Sequence, residues 1–175
     1  MGVRAVFAAG LAAILLTAAA GRVDAADSGP SAAEEAALTA PVQRLVDAIN
    51  HAETAVPKNV FITDAAVLDD FAPYRWTGRT DAGVWYKASL GTVPKDREAF
   101  LALKADLSIG QPQFSRITGD AAYFVLPGVF VFNGDAGKRV RQTSTWLITE
   151  KRVKGSWLIS GHAWAITGES EASPP

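Results

Sequence analysis

Leu38, Val42, Leu45, Val46 and Ile49 recur at helical spacing, which lays them in one stripe of an α-helix. Ser31 with Glu34 has the form of a capping box. Pro41, however, suits a first turn and suggests that the regular helix starts only at Thr39. A short second helix is expected after Thr63, ending near Asp69. A brief strand follows at "YRWTG". A third helix is expected from Thr80–Asp81, with Thr80 as cap and Asp81 at the positive end of the dipole, carrying Val84 and Trp85 and stopping at Gly91. A fourth, around Asp96 to Lys104, presents Phe100, Leu101 and Leu103.

From Leu107 the period changes to two. "LSIGQPQFSRIT", "AAYFVLPGVFVF", "RQTSTWLITE" and "WLISGHAWAIT" are aromatic and β-branched runs separated by "GD", "NGDAG" and "KRVKGS". This spacing reads as an antiparallel meander. Pro127–Gly128 interrupts the second run and predicts a bulge or bend that curls the sheet. Helices first and a curved antiparallel sheet afterwards make an α+β domain.

The ends of the chain change the picture. Arg4, an apolar run from Ala5 to Ala20, and small residues at Val23 and Ala25 form the pattern of a secretory signal cleaved after Ala25. That assigns 1–25 to a signal peptide, 26–37 to a flexible segment, 38–168 to one folded domain and 169–175 to a disordered tail. The protein is expected to be exported, periplasmic or extracellular, without stable membrane insertion after cleavage. The mature chain of 150 residues can bury a real core, and its net charge is about −2. "KRVR", Lys138 to Arg141, is the nearest approach to a basic cluster, so no nucleic-acid partner is expected. There is no cysteine, so packing rather than disulfides holds the fold. Two distant histidines give no transition-metal site, and no phosphate loop, dinucleotide fingerprint or serine-nucleophile elbow is present. No cofactor is expected.

The pieces "FITDAAVLDDFAPYRWTGRTDAGVWY", "GDAAYFVLPGVFVF" and "STWLITEKRVKGSWLI" stand in an order that resembles the nuclear transport factor 2 superfamily, with its SnoaL-like cyclases and ketosteroid isomerases. The resemblance implies a cone-shaped curved sheet with N-terminal helices packed on its concave face, an apolar pocket between them, and a homodimer. In the isomerases an aspartate after the second helix points into the cone as general base. By spacing this role falls on Asp69, with Asp70 as rival; the alternative for both acids is structural, solvated near a helix end or paired with Arg75 or Arg79. A carboxylate at an apolar mouth has its pKa raised toward values useful for proton transfer. The isomerases' enolate donors are missing: their tyrosine falls near Leu45 and their second aspartate near Thr145. Steroid isomerisation by that route is therefore not expected.

Other candidates are read from the residues. Tyr74 and Trp76 share a parity and are candidates for the pocket, with Trp85, Phe130 and Thr145 as further lining; for Trp76 the alternative is a place in the core. His162 shares a face with Leu158, Ser160 and Trp164, opposite Trp157, Ile159, Gly161 and Ala163. It serves the pocket only if its face is the concave one; otherwise it is structural or lies at an interface. His51, near the end of the first helix, is structural. Three functions stay open: a pocket binding a small apolar or aromatic molecule, a cofactor-free lyase, isomerase or cyclase using Asp69 or Asp70 (with His162 as a possible helper), and a non-catalytic dimeric interaction module.

Overall fold

A computed structural model describes residues 29–91, 94–134 and 137–172. The expected signal peptide, 1–25, and the last residues of the expected tail lie outside the described residues. Among these, three helices and seven strands form an α+β domain around a curved, unclosed mixed sheet. In chain order they are α1 (Ala32–Asn50), β1 (Phe61–Leu68), β2 (Arg75–Thr77), α2 (Asp81–Leu90), α3 (Pro94–Ala102), β3 (Asp106–Ile109), β4 (Phe114–Thr118), β5 (Ala121–Asn133), β6 (Arg139–Val153) and β7 (Ser156–Glu171). The sheet order is β2-β1-β7-β6-β5-β3, with β4 also paired to β5.

Helix α1 begins at Ala32 rather than Thr39, so part of the segment expected to be flexible is helical. The Ser31 hydroxyl accepts from the Glu34 N–H while the Glu34 carboxylate accepts from the Ser31 N–H at 2.9 Å, and this reciprocal cap carries the helix through to Pro41. Leu38, Val42, Leu45, Val46 and Ile49 are all buried, as their spacing predicts. At its far end the Asn50 side chain both donates to the Leu107 carbonyl (2.8 Å) and accepts from its N–H (2.7 Å), clamping α1 to the edge strand β3.

The expected second helix is a strand. "FITDAAVL" is β1, and its inner half alternates: Ala65 and Val67 are buried, Asp64, Ala66 and Leu68 exposed. An alternating run of β-branched and small residues beside an existing sheet gains more from ladder bonds and one-sided burial than from a helical turn. It pairs with β7 in parallel, Val67 beside His162, so the sheet is mixed rather than wholly antiparallel. "LSIGQPQFSRIT" also divides, into β3 and β4, which pair with successive halves of β5.

Pro127–Gly128 lies at that handover. Gly110 N–H donates to Pro127 O and Gln113 N–H to Val125 O, so the proline sits between the two partners, where a missing N–H costs least. No bulge occurs there: β5 and β6 stay in register from Ala121 to Asn133. Register shifts occur between β6 and β7, where Ser160 and Thr167 are extra residues, and between β1 and β7, from Phe61 to Ala66. Strand β7 runs to Glu171, into the segment expected to be disordered.

Candidate functional site

The β7 bulge decides which residues face the helices. Ile159 pairs with the buried Glu150, but Gly161 pairs with Thr149, so Ser160 is skipped. Past it, His162 pairs with Ile148 and Trp164 with Trp146, and both Ile148 and Trp146 are buried on the concave side. Trp157 and Ile159 before the bulge, and His162 and Trp164 after it, therefore share the concave face. Strict alternation had put the first pair opposite the second; the extra residue resets the phase.

On the neighbouring strand the same face carries Ala65, Val67 and, by alternation, Asp69 just past the end of β1. The Asp69 N–H donates to the Tyr74 carbonyl at 3.2 Å, closing the turn into β2. Its carboxylate accepts from Trp85 Nε1–H at 2.6 Å and from the Asp70 N–H at 2.8 Å. Burial nevertheless dominates, and pushes the Asp69 carboxyl up to about 6 against those two bonds.

His162 is 5% exposed and sits among rings: Trp85 at 4.5 Å, Trp146 at 5.5 Å and Phe61 at 5.9 Å between centroids. Trp146 Nε1–H donates to its Nδ1 at 3.1 Å. An indole N–H can only donate, so Nδ1 is the acceptor and the ring proton lies on Nε2. Nε2 is buried without a hydrogen-bond partner. Burial pushes this imidazole down to about 3, so it is neutral at physiological pH.

These residues line a cavity of about 280 Å³ between α2, α3 and the concave sheet. Phe71, Trp85, Phe100, Phe130, Trp146 and Trp164 supply its aromatic wall; Ile49, Leu90, Leu103 and Leu107 supply aliphatic wall. Asp69, Asp70, Ser89, Gln142 and His162 are its polar lining. Of the residues singled out in the sequence, Asp69, Asp70, His162, Trp85 and Phe130 meet here.

Three others do not. Tyr74 is 61% exposed with φ at +67°, turned outward at the tip of the β1–β2 turn. Trp76 is buried in the core, its ring 5.0 Å from that of Phe71, because it pairs with Val67 on the packed side of β1. Thr145 lies on the outer face, since its neighbours Ser144 and Trp146 are the buried pair. The sequence reading missed Trp146 and Phe71; the alternation Ser144, Trp146, Ile148 against Thr145, Leu147 carried the signal for the first. No group of histidine, cysteine or carboxylate side chains able to hold a metal ion occurs among the described residues.

No family model and no curated protein sequence matches the chain. Solved structures do. A hexachlorocyclohexane dehydrochlorinase, LinA-type3 from Novosphingobium barchaimii LL02, aligns with a TM-score of 0.62 at 10% identity, over 82% of this chain and 96% of its own. An NTF2-like protein of unknown function from Pseudomonas putida KT2440 aligns at 0.60 and 13% identity, over 78% and 89%. A nuclear transport factor 2 (NTF2-like) superfamily protein from Salmonella enterica serovar Typhimurium LT2 aligns at 0.54 and 16%, over 74% and 90%. The chain has the nuclear transport factor 2-like fold, as the order of its sequence pieces implies. At these identities the likeness is one of fold, and a fold hosts many functions.

Proposed function

We propose that the cone binds one small, largely apolar or aromatic molecule, held at a polar end by Asp69 and its neighbours. The observation that carries this reading is the cavity itself: apolar walls with a few converging polar groups. Its volume of about 280 Å³ lies just below the ~300–1,000 Å³ typical of ligand pockets, which calls for a compact ligand. Native mass spectrometry of the protein purified gently from its producing organism tests it, together with uptake of an apolar fluorescent dye. A co-purifying small molecule, or dye bound and displaced stoichiometrically, is expected. A protein that carries nothing and takes up no apolar probe would move the balance to an interaction module.

One observation favours a second reading, a cofactor-free lyase, isomerase or cyclase. A carboxyl held near 6 inside an apolar pocket is matched to proton abstraction near neutral pH. One structural neighbour is named a dehydrochlorinase, so this scaffold carries an enzyme elsewhere. On this reading replacing Asp69 and Asp70 by asparagine removes turnover of the identified ligand; unchanged turnover would sink it.

Export and a homodimer complete the proposal. The leader-like residues 1–25 support the first. The second is supported by a row of apolar residues across five strands of the outer face: Phe114, Val125, Leu147, Ala163 and Leu68, each paired with the next. Mass by light scattering would decide it, with a monomer at micromolar concentration counting against.

A further inference from the structure

Charge in the cavity is one-sided. Two carboxylates, Asp69 and Asp70, line it, while no lysine or arginine does so among the described residues. The one nitrogen base there, His162, is already committed as acceptor to Trp146 Nε1–H and carries no charge. About half of the remaining lining residues are aromatic. Trp146 and Trp164 meet at an interplanar angle of 79°, and Trp85 and His162 at 69°, so the rings wall the space from several directions. Aromatic rings carry negative potential on their faces and attract weakly hydrated cations, most strongly where water is excluded. An anion entering would meet Asp69 and Asp70 with no compensating positive side chain.

We infer that the ligand of this cone is an organic cation, a small amine or quaternary ammonium compound with an apolar or aromatic body. The inference rests on the small-molecule reading above and names the chemistry that the pocket selects. The body occupies the space between Phe100, Phe130 and Leu107, and the cationic head lies toward Asp69 and Trp85. Asp69 suits a counter-ion: each oxygen already accepts one hydrogen bond, from Trp85 or Asp70, yet keeps lone pairs free. Its carboxyl is raised by burial with no cation among the causes, so a bound cation would supply the missing partner. A bare metal ion is a poorer fit. Hard cations require six to eight oxygen ligands, and most of this wall is carbon.

The test is a matched pair of probes, phenyltrimethylammonium and its uncharged carbon isostere tert-butylbenzene, titrated into the purified protein at pH 8. Tryptophan fluorescence and calorimetry report binding. The cation is expected to bind at least ~10-fold tighter than the isostere, in line with a desolvated cation–π contact aided by a counter-charge. The double variant Asp69→Asn, Asp70→Asn is expected to lose that advantage while still binding tert-butylbenzene, its near-ultraviolet circular dichroism showing that it folds. Equal or tighter binding of tert-butylbenzene to the unaltered protein would overturn the cation inference and leave the apolar-pocket reading standing. If neither probe nor an apolar dye binds, both fall. A cation preference that persists in the double variant would also overturn the assignment, since the counter-charge would then lie elsewhere.

Discussion

His162 owes its state to its surroundings. An imidazole near its ordinary pKa is a proton shuttle; the same ring buried against Trp85, Trp146 and Phe61 is a neutral packing element with one fixed tautomer. Its depressed pKa, about 3 against an ordinary 6.5, means that the unfolded chain binds a proton which the native protein refuses in that window. Stability contributed by His162 is therefore present above about pH 6.5 and is lost as pH falls from there toward 3. Nuclear magnetic resonance should find its ring signals flat between pH 5 and 8. Replacement by leucine leaves the Trp146 indole N–H buried and unpaired, and should cost roughly 1–3 kcal/mol in denaturant unfolding. A loss under ~0.5 kcal/mol would show that the Trp146–His162 bond adds little.

At the scale of elements, strand phase controls the site. A single extra residue, Ser160, brings Ile159 and His162 to one face, and no local propensity announces it. Gly128 shows how closely the sheet is fitted on that face. A Cβ built there would lie 2.5 Å from Ser144 Oγ and 2.8 Å from the Trp164 ring. Glycine at this point lets the indole of Trp164 lie against the backbone of β5 at the cavity wall. Gly128→Val should therefore destabilise the protein by roughly 1–3 kcal/mol, the range of overpacked cores. It should also push Trp164 into the pocket, weakening uptake of an apolar dye. Unfolding midpoints and dye titration would check both, and a variant that retains both values would show that Trp164 can swing aside without loss.

For the whole molecule, the pH dependence of stability is governed by a residue outside the cavity. Glu150 is 1% exposed on the concave face, its two carboxyl oxygens have no hydrogen-bond partner, and burial pushes it up to about 9. Between its ordinary 4.5 and 9 the native state holds a proton that the unfolded chain releases, so stability falls as pH rises through that window. Asp69 has the same sign up to about 6, whereas His162 opposes both up to about 6.5. Above that, of these three groups Glu150 alone still titrates. Stability should decline from pH 6.5 to 9 at about 1.4 kcal/mol per unit, a total near ~3 kcal/mol. Glu150→Met, of similar length and without the orphaned oxygens, should flatten that limb and be more stable at pH 9. Melting curves across this range are decisive: parallel curves for the two proteins would refute the account.

The sequence alone determined the features that depend on local chemistry and on order. The apolar stripe from Leu38 to Ile49, the Ser31–Glu34 cap, the stop of α2 at Gly91 and the long strands after Leu107 are short-range patterns, and their succession is what the resemblance rested on. Asp69 at the pocket came from the family resemblance alone, and it holds although the residue follows strand β1 and not the helix expected there. The tertiary structure decided what depends on partners far away. "FITDAAVL" became a strand because β7 offered it an edge. Thr145 turned outward, and Trp146, Trp164 and His162 inward, because ladder pairing sets the face. Side-chain direction in a sheet flips with every residue, so one bulge or one misplaced register rewrites the lining of a site. Long-range pairing sets these, and the order of residues along the chain does not encode them locally.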